Sequence, residues 1–212
     1  MTIALPRLDR ADPDERGLTL ADFLVPVRVS DRLSPRIRHV ALIGLGALFI
    51  YVTSLIYIAR EPVPLTGQTF GVLTVGAALG FRRGGAAVLL YLLIGLVGLP
   101  FFAEGKGGVA VLVGGTGGYL LGFVIAGAIV GRLAELGWDR RLAGSLGAML
   151  IGSLIIYAIG LPWLMVTGGY TVQETLGYGL TPFIAWDLAK LAVAGALFPL
   201  GWWLVERRPD DR

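Results

Sequence analysis

Residues 40–59, VALIGLGALFIYVTSLIYIA, carry no charge over a length that matches the apolar core of a bilayer. A helix needs about 20 such residues to cross about 30 Å of hydrocarbon. Further uncharged stretches cover 62–81, 84–103, 107–131 and 142–173, and 175–205 is interrupted only by Asp187 and Lys190. The pattern predicts an all-α integral membrane protein with six transmembrane helices, at about 40–59, 66–81, 84–102, 108–131, 142–164 and 183–205. Composition agrees: 55% of the 212 residues are hydrophobic and 16% charged, against roughly 25% charged in ordinary soluble domains. Packing these runs inside a soluble protein would leave too little polar surface to cover them.

The basic residues set an expected orientation, because Lys and Arg concentrate on the cytoplasmic side of short loops. Arg28, Arg32, Arg36 and Arg38 precede the first run, Arg82 and Arg83 follow the second, and Arg132, Arg140 and Arg141 follow the fourth. Arg207, Arg208 and Arg212 close the chain, whereas the opposite side holds only Arg60 and Lys106. Both termini are therefore expected in the cytoplasm, as six crossings require. A tail at 1–38, a transmembrane domain at 39–205 and a second tail at 206–212 follow. The first tail reads as partly disordered, with LTLADFLVP at 18–26 as a short amphipathic helix on the inner surface. Trp163, Trp202 and Trp203 fall at the depths where amphipathic rings collect.

Glycine supplies 32 residues. Gly76–Gly80 and Gly127–Gly131 have the four-residue spacing that lets membrane helices approach closely. The segment GGTGGYLLG, 114–122, is denser in glycine than packing needs. It predicts either close approach of another element or a ligand, or an irregular helix, which membranes tolerate only where backbone is buried or faces a cavity.

In this frame the polar residues collect in the outer half. Asp187 lies about 6 Å and Lys190 about 10 Å along the last helix from its outer end, at 1.5 Å per residue. Thr116 and Tyr119 reach comparable depth on the fourth run, Gln68 and Thr69 start the second, and Tyr157 lies on the fifth. Trp186 is either an anchor or a pocket wall. Asp187 and Lys190 share a helix face at i,i+3, and charges inside a span face protein or a cavity rather than lipid. Three readings remain open for the pair: an ion pair that orders helices, an ion-coupling site, or a clamp for a neutral solute. A clamp would suit an amide or urea, because Asp accepts where Lys donates.

Other classes find little support. A net charge of +3 gives no reason to expect nucleic acid. With no cysteine and one histidine, His39, no metal site or hydrolytic constellation is expected. No G-x-x-x-x-G-K-[ST] is present, so any ATP-driven step needs another polypeptide. A secondary carrier would normally show further intramembrane acids or an internal repeat.

The stretches PVPLTGQTFGVL at 62–73, GLPFFAEGKGG at 98–108, GGTGGYLLGF at 114–123, YAIGLPWL at 157–164 and PFIAWDLAK at 182–190 together resemble the BioY family. These are the biotin-specific substrate-capture subunits of energy-coupling-factor transporters. The resemblance implies a six-helix fold in a prokaryotic cytoplasmic membrane, no enzyme activity, no cofactor, and biotin as the transported ligand. It implies partners as well: a transmembrane coupling protein and two cytoplasmic ATPase subunits. Carried onto this chain, Asp187 would accept from the ureido N–H groups and Lys190 would donate to the ureido oxygen. Thr116 and Tyr119 would line the ring site, with Gly117 and Gly118 admitting the ring close to the main chain. Gln68 would lie near the mouth, toward the valerate carboxylate or in a lid, and Trp186 or Tyr157 would add apolar wall. Capture subunits of this class often present alanines four apart to their partner. Here Ala41 is followed by Leu45 and Ala47 by Tyr51, so no docking face is legible. A self-sufficient carrier and a helix-ordering structural protein stand as the alternatives.

Overall fold

The computed structural model describes residues 19–24 and 35–206. Most of the expected N-terminal tail, and residues 207–212, lie outside the described residues. Helix α1 (Leu20–Leu24) and the long α2 (Pro35–Ser54) come first, then a two-stranded antiparallel hairpin, β1 (Tyr57–Ile58) with β2 (Leu65–Thr66). Next are α3 (Gln68–Leu96), α4 (Val109–Val113) and α5 (Gly117–Glu135), then α6 (Leu142–Gly168), α7 (Val172–Gly179) and α8 (Ile184–Glu206). Among the described residues, five helical stretches are long and apolar enough to cross a membrane: Arg36–Ser54, Gln68–Leu96, Gly117–Glu135, Leu142–Gly168 and Val172–Val205. The chain is a multi-pass, all-α membrane protein.

The second stretch is two rods. Gly80 has φ +83° and ψ −179°, a conformation that costs glycine little and other residues much, and the chain reverses there. A Cβ on Gly84 would stand 2.9 Å from the Cα of Gly76, and the Gln68 amide donates to the Tyr91 hydroxyl at 2.6 Å. Residues 12 before and 11 after Gly80 could not meet in a straight helix. The expected spans at 66–81 and 84–102 therefore correspond to two antiparallel rods joined without a loop, the second ending at Leu96.

Three other boundaries move. The first helix runs 35–54 instead of 40–59, because Tyr57 and Ile58 leave it to pair with Thr66 and Leu65. The expected helix at 108–131 is interrupted at 114–116 and resumes as Gly117–Glu135. The fifth extends to Gly168, where Gly169 closes it in the left-handed conformation at φ +65°.

The paired glycines meet as their spacing requires. A Cβ on Gly76 would collide with the Gly127 carbonyl, and one on Gly131 with the backbone of Gly80. α3 and α5 thus touch backbone to backbone, a contact that packing alone can hold in lipid. Large apolar side chains such as Leu45, Val52, Leu188 and Val193 point outward, as lipid-facing surface does.

The Gly80 end of the bundle gathers Arg36, Arg38, Arg82, Arg83, Arg132, Arg140 and Arg141. There α1 buries Leu20 and Ala21 and sets Asp22 between Arg38, at 3.1 Å, and Arg83, at 2.6 Å. Burial opposes ionisation of Asp22, but the Arg83 and Thr19 hydrogen bonds outweigh it and hold its pKa down to about 2. Nearby, the Trp202 indole donates to Asp139 at 2.8 Å while Arg140 lies over the Trp202 ring at 4.9 Å. Burial pushes Asp139 up to about 6.

Candidate functional site

At the opposite end, the first turns of α8 carry Asp187 and Lys190 inward. Asp187 is 6% exposed, and its Oδ1 lies 2.5 Å from the Lys190 ammonium. That oxygen has no partner in hydrogen-bonding geometry; Oδ2 accepts from the Tyr157 hydroxyl. Lys190 also donates to the Thr66 carbonyl at 2.9 Å and to the Thr69 hydroxyl. One acid and one base from α8 are thus tied to α6, to β2 and to the start of α3. The hairpin meets this cluster through the Thr66 carbonyl.

Beside the cluster is a small cavity of about 50 Å³, with Lys190, Tyr157, Tyr119, Thr116, Gln68 and Thr69 in its wall. Phe123, Ile156 and Phe183 supply the apolar part. Tyr119 is fixed by donating to the Gly179 carbonyl at 3.0 Å and meets the Tyr157 ring edge-on at 6.2 Å. A larger space of about 440 Å³ adjoins it, sharing Pro64, Gln68, Thr116 and Leu120 and reaching Lys106. A solute seated against Lys190 would extend a tail past Gln68 and Thr116 into that larger chamber.

The structure brings most of the expected residues together and reassigns several. Asp187 is not in the cavity wall itself; it stands behind Lys190 and Tyr157 and orders both. Gln68 is buried, and its amide is committed: Nε2 donates to Tyr91 and Oε1 accepts from Thr66 at 2.9 Å. It is a fixed wall between the two spaces, with one of its two Nε2 hydrogens spent on Tyr91. Gly117 and Gly118 do not border the cavity. A Cβ on Gly117 would collide with the Leu112 carbonyl, and one on Gly118 with Trp163, so these glycines seat α5 against α4 and α6. Trp186 is outside as well, with its indole 3.4 Å from the Thr66 carbonyl and Lys190 5.8 Å from its ring centre.

Sequence reading missed Phe123, Ile156 and Tyr91. Phe123 follows Tyr119 by four residues on one helix face, a usable signal; Tyr91 is a lone hydroxyl in an apolar run. Thr66 acts through its carbonyl, which no side-chain pattern reports.

Comparison with known proteins fits this geometry. Residues 26–207 match the BioY family. The chain belongs to that family. Its relatives include the biotin transporter BioY of Thermotoga maritima, 39% identical over 73% of this chain and 89% of that protein. The biotin transporter BioY of Rhodobacter capsulatus is 37% identical over 74% of this chain and 90% of that protein. Among solved structures, the crystal structure of the S-component for biotin from an ECF-type ABC transporter superposes with a TM-score of 0.71. It is 25% identical, over 78% of this chain and 90% of that one. BioY is a family of transporters, not of enzymes, and the acid–base pair in this BioY chain sits in a transporter fold.

Proposed function

We propose that this chain captures biotin from outside the cell and passes it inward as the substrate-binding subunit of an ATP-driven transporter. The observation that carries the reading is the buried Asp187–Lys190–Tyr157 cluster standing against a cavity that continues into a larger chamber. Biotin presents a cyclic urea, a fused thioether ring and a carboxylate tail. Lys190 would donate to the ureido oxygen, and Asp187, behind it, would accept from a ureido N–H once its Oδ1 gives up the Lys190 contact. Tyr119, Phe123 and Ile156 would receive the ring system, and the tail would run past Thr116 toward Lys106. Each buried polar partner left unmatched costs about 1–3 kcal/mol, so a solute lacking the urea would be rejected.

The cavity beside Lys190 is small, about 50 Å³, and the Thr66 carbonyl already takes a Lys190 donor that a ureido oxygen would use. Binding therefore requires the β1–β2 hairpin to swing off Lys190, breaking the Thr66 contact, and to close again over the ligand. The distribution of arginines favours six crossings with both termini in the cytoplasm and the hairpin outside. With no phosphate-binding loop in the sequence, energy would come from a separate module, a transmembrane coupling protein with two ATPase subunits, acting at the membrane in which this chain resides.

Equilibrium binding to the purified chain tests capture: one biotin per chain is expected, with no competition from valerate. Absence of stoichiometric binding overturns it. Uptake into proteoliposomes separates the rival carrier: accumulation by this chain alone, driven by a proton or sodium gradient, would overturn the coupled mechanism and leave capture standing.

A further inference from the structure

The arginine-rich end holds a second, larger cavity that capture does not use. It is an open recess of about 740 Å³ between α2, the Gly80 reversal and the last turns of α5. Arg82, Arg83, Arg132 and His39 border it, against the single carboxylate of Glu135. That carboxylate is already engaged: Oε1 accepts the Phe81 N–H at 2.8 Å and Oε2 the Arg132 guanidinium at 3.0 Å. Arg83 is likewise fixed, holding Asp22 through both terminal nitrogens at 2.8 and 2.6 Å. Arg82 and His39, by contrast, have no hydrogen-bond or ion-pair partner among the described residues. Arg132 spends one terminal nitrogen on Glu135 and is 58% exposed.

We infer that this recess binds the phosphate of an anionic membrane lipid, with Arg82 and Arg132 as its donors and Arg83 as a fixed positive wall. Guanidinium groups match phosphate oxygens in pairs, and basic pockets between transmembrane helices are a recurrent way of holding anionic headgroups. The floor selects a lipid over a free phosphate. Ile43 and Leu79 line the recess together with the arginines, and Phe81, also in its border, is an exposed aromatic ring. A soluble phosphate ester would leave this surface wet, whereas an acyl chain would cover it. The recess adjoins Gly80, so the lipid would brace the reversal on which α3 depends.

The test is native mass spectrometry of the full chain released from nanodiscs of equal phosphatidylglycerol and phosphatidylcholine. One phosphatidylglycerol per chain should be retained, with phosphatidylcholine adducts at least about fivefold rarer. Arg82→Gln with Arg132→Gln should bring the two lipids to parity, and Arg60→Gln, at the other end, should leave the preference intact. Should the double variant fail to fold, Arg82→Gln alone, at an exposed side chain, should still lower the ratio severalfold. Parity in the unaltered chain, or a preference that survives both substitutions, would overturn the site. Release of the lipid by millimolar inorganic phosphate would overturn the lipid assignment in favour of a free anion.

Discussion

Two partnered carboxylates, the half-buried Asp22 at one end of the bundle and the buried Asp187 at the other, are built differently. Asp22 is saturated: Oδ1 accepts from Arg38 and Arg83, and Oδ2 from Arg83 and from the Thr19 amide and hydroxyl. Asp187 is held by one base and one phenol, and one of its oxygens has no hydrogen bond. The first arrangement is what a structural staple needs, since every donor is used within the protein. The second is less filled, with Oδ1 held by the Lys190 ion pair alone, one side chain back from the cavity. A buried polar atom without a hydrogen bond is costly in a folded protein, and such sites call for an explanation beyond stability. Here the explanation on offer is a ligand that supplies the missing donor.

This contrast can be broken experimentally, and the largest effect should fall at the unsaturated end. Asp187→Asn and Lys190→Met should each weaken biotin binding at least about 100-fold, near 3 kcal/mol, because each leaves a buried partner of the ligand unmatched. The paired variant, which removes both charges, should keep its helical circular dichroism. If both single variants bind as the parent does, the pair is only a staple and the two ends are alike.

Next in size is the glycine crossing that separates the ends. Gly131→Val should lower stability by about 2–3 kcal/mol, read as an earlier melting transition in detergent, because its side chain cannot avoid the backbone at Gly80. An unchanged transition would mean that α3 and α5 are free to part.

Asp22→Asn should cost about 1–2 kcal/mol, less than the full value of moving its pKa from 3.8 to about 2 because solvent screens a half-buried group. Its folded-state pKa is depressed, so the stabilisation is fully present above 3.8 and lost as the pH falls through 2. Melting temperatures of parent and variant should therefore differ at neutral pH and converge on acidification, with biotin affinity the same in both. A loss of affinity would show that the staple reaches the site.

The smallest expected effect is that of Tyr157→Phe, about 1 kcal/mol, or roughly five- to tenfold in biotin affinity. It removes one donor from Asp187 but leaves Lys190 in place to order the carboxylate. Titration calorimetry on the two proteins measures it. An effect as large as that of Lys190→Met would make Tyr157 a direct ligand contact.

Much of this was legible from sequence, and the reason differs from residue to residue. Uncharged runs declare membrane helices because lipid offers no alternative partner for a charge. The same rule made Asp187 and Lys190 conspicuous, and the four-residue glycine spacings marked close helix approach without saying that Gly76 would meet Gly127. Gly117 and Gly118 stand away from the cavity wall, which sequence could not show because a glycine that seats a helix and one that admits a ligand look the same in one dimension. An amide likewise gives no sign that Tyr91 has already taken it.

By itself, then, the sequence determined solvent, helix content, the polar asymmetry between the ends and the identity of the one intramembrane acid–base pair. These are consequences of transfer free energy, which is local and sums along the chain. Only the tertiary structure decided that the chain reverses at Gly80, that the hairpin carbonyl of Thr66 caps Lys190, and that two arginines of α3 and one of α5 share one recess. Those outcomes depend on which surfaces meet. Meeting is settled by shape and by the backbone hydrogen bonds left over at helix breaks, neither of which is written in any single stretch of residues.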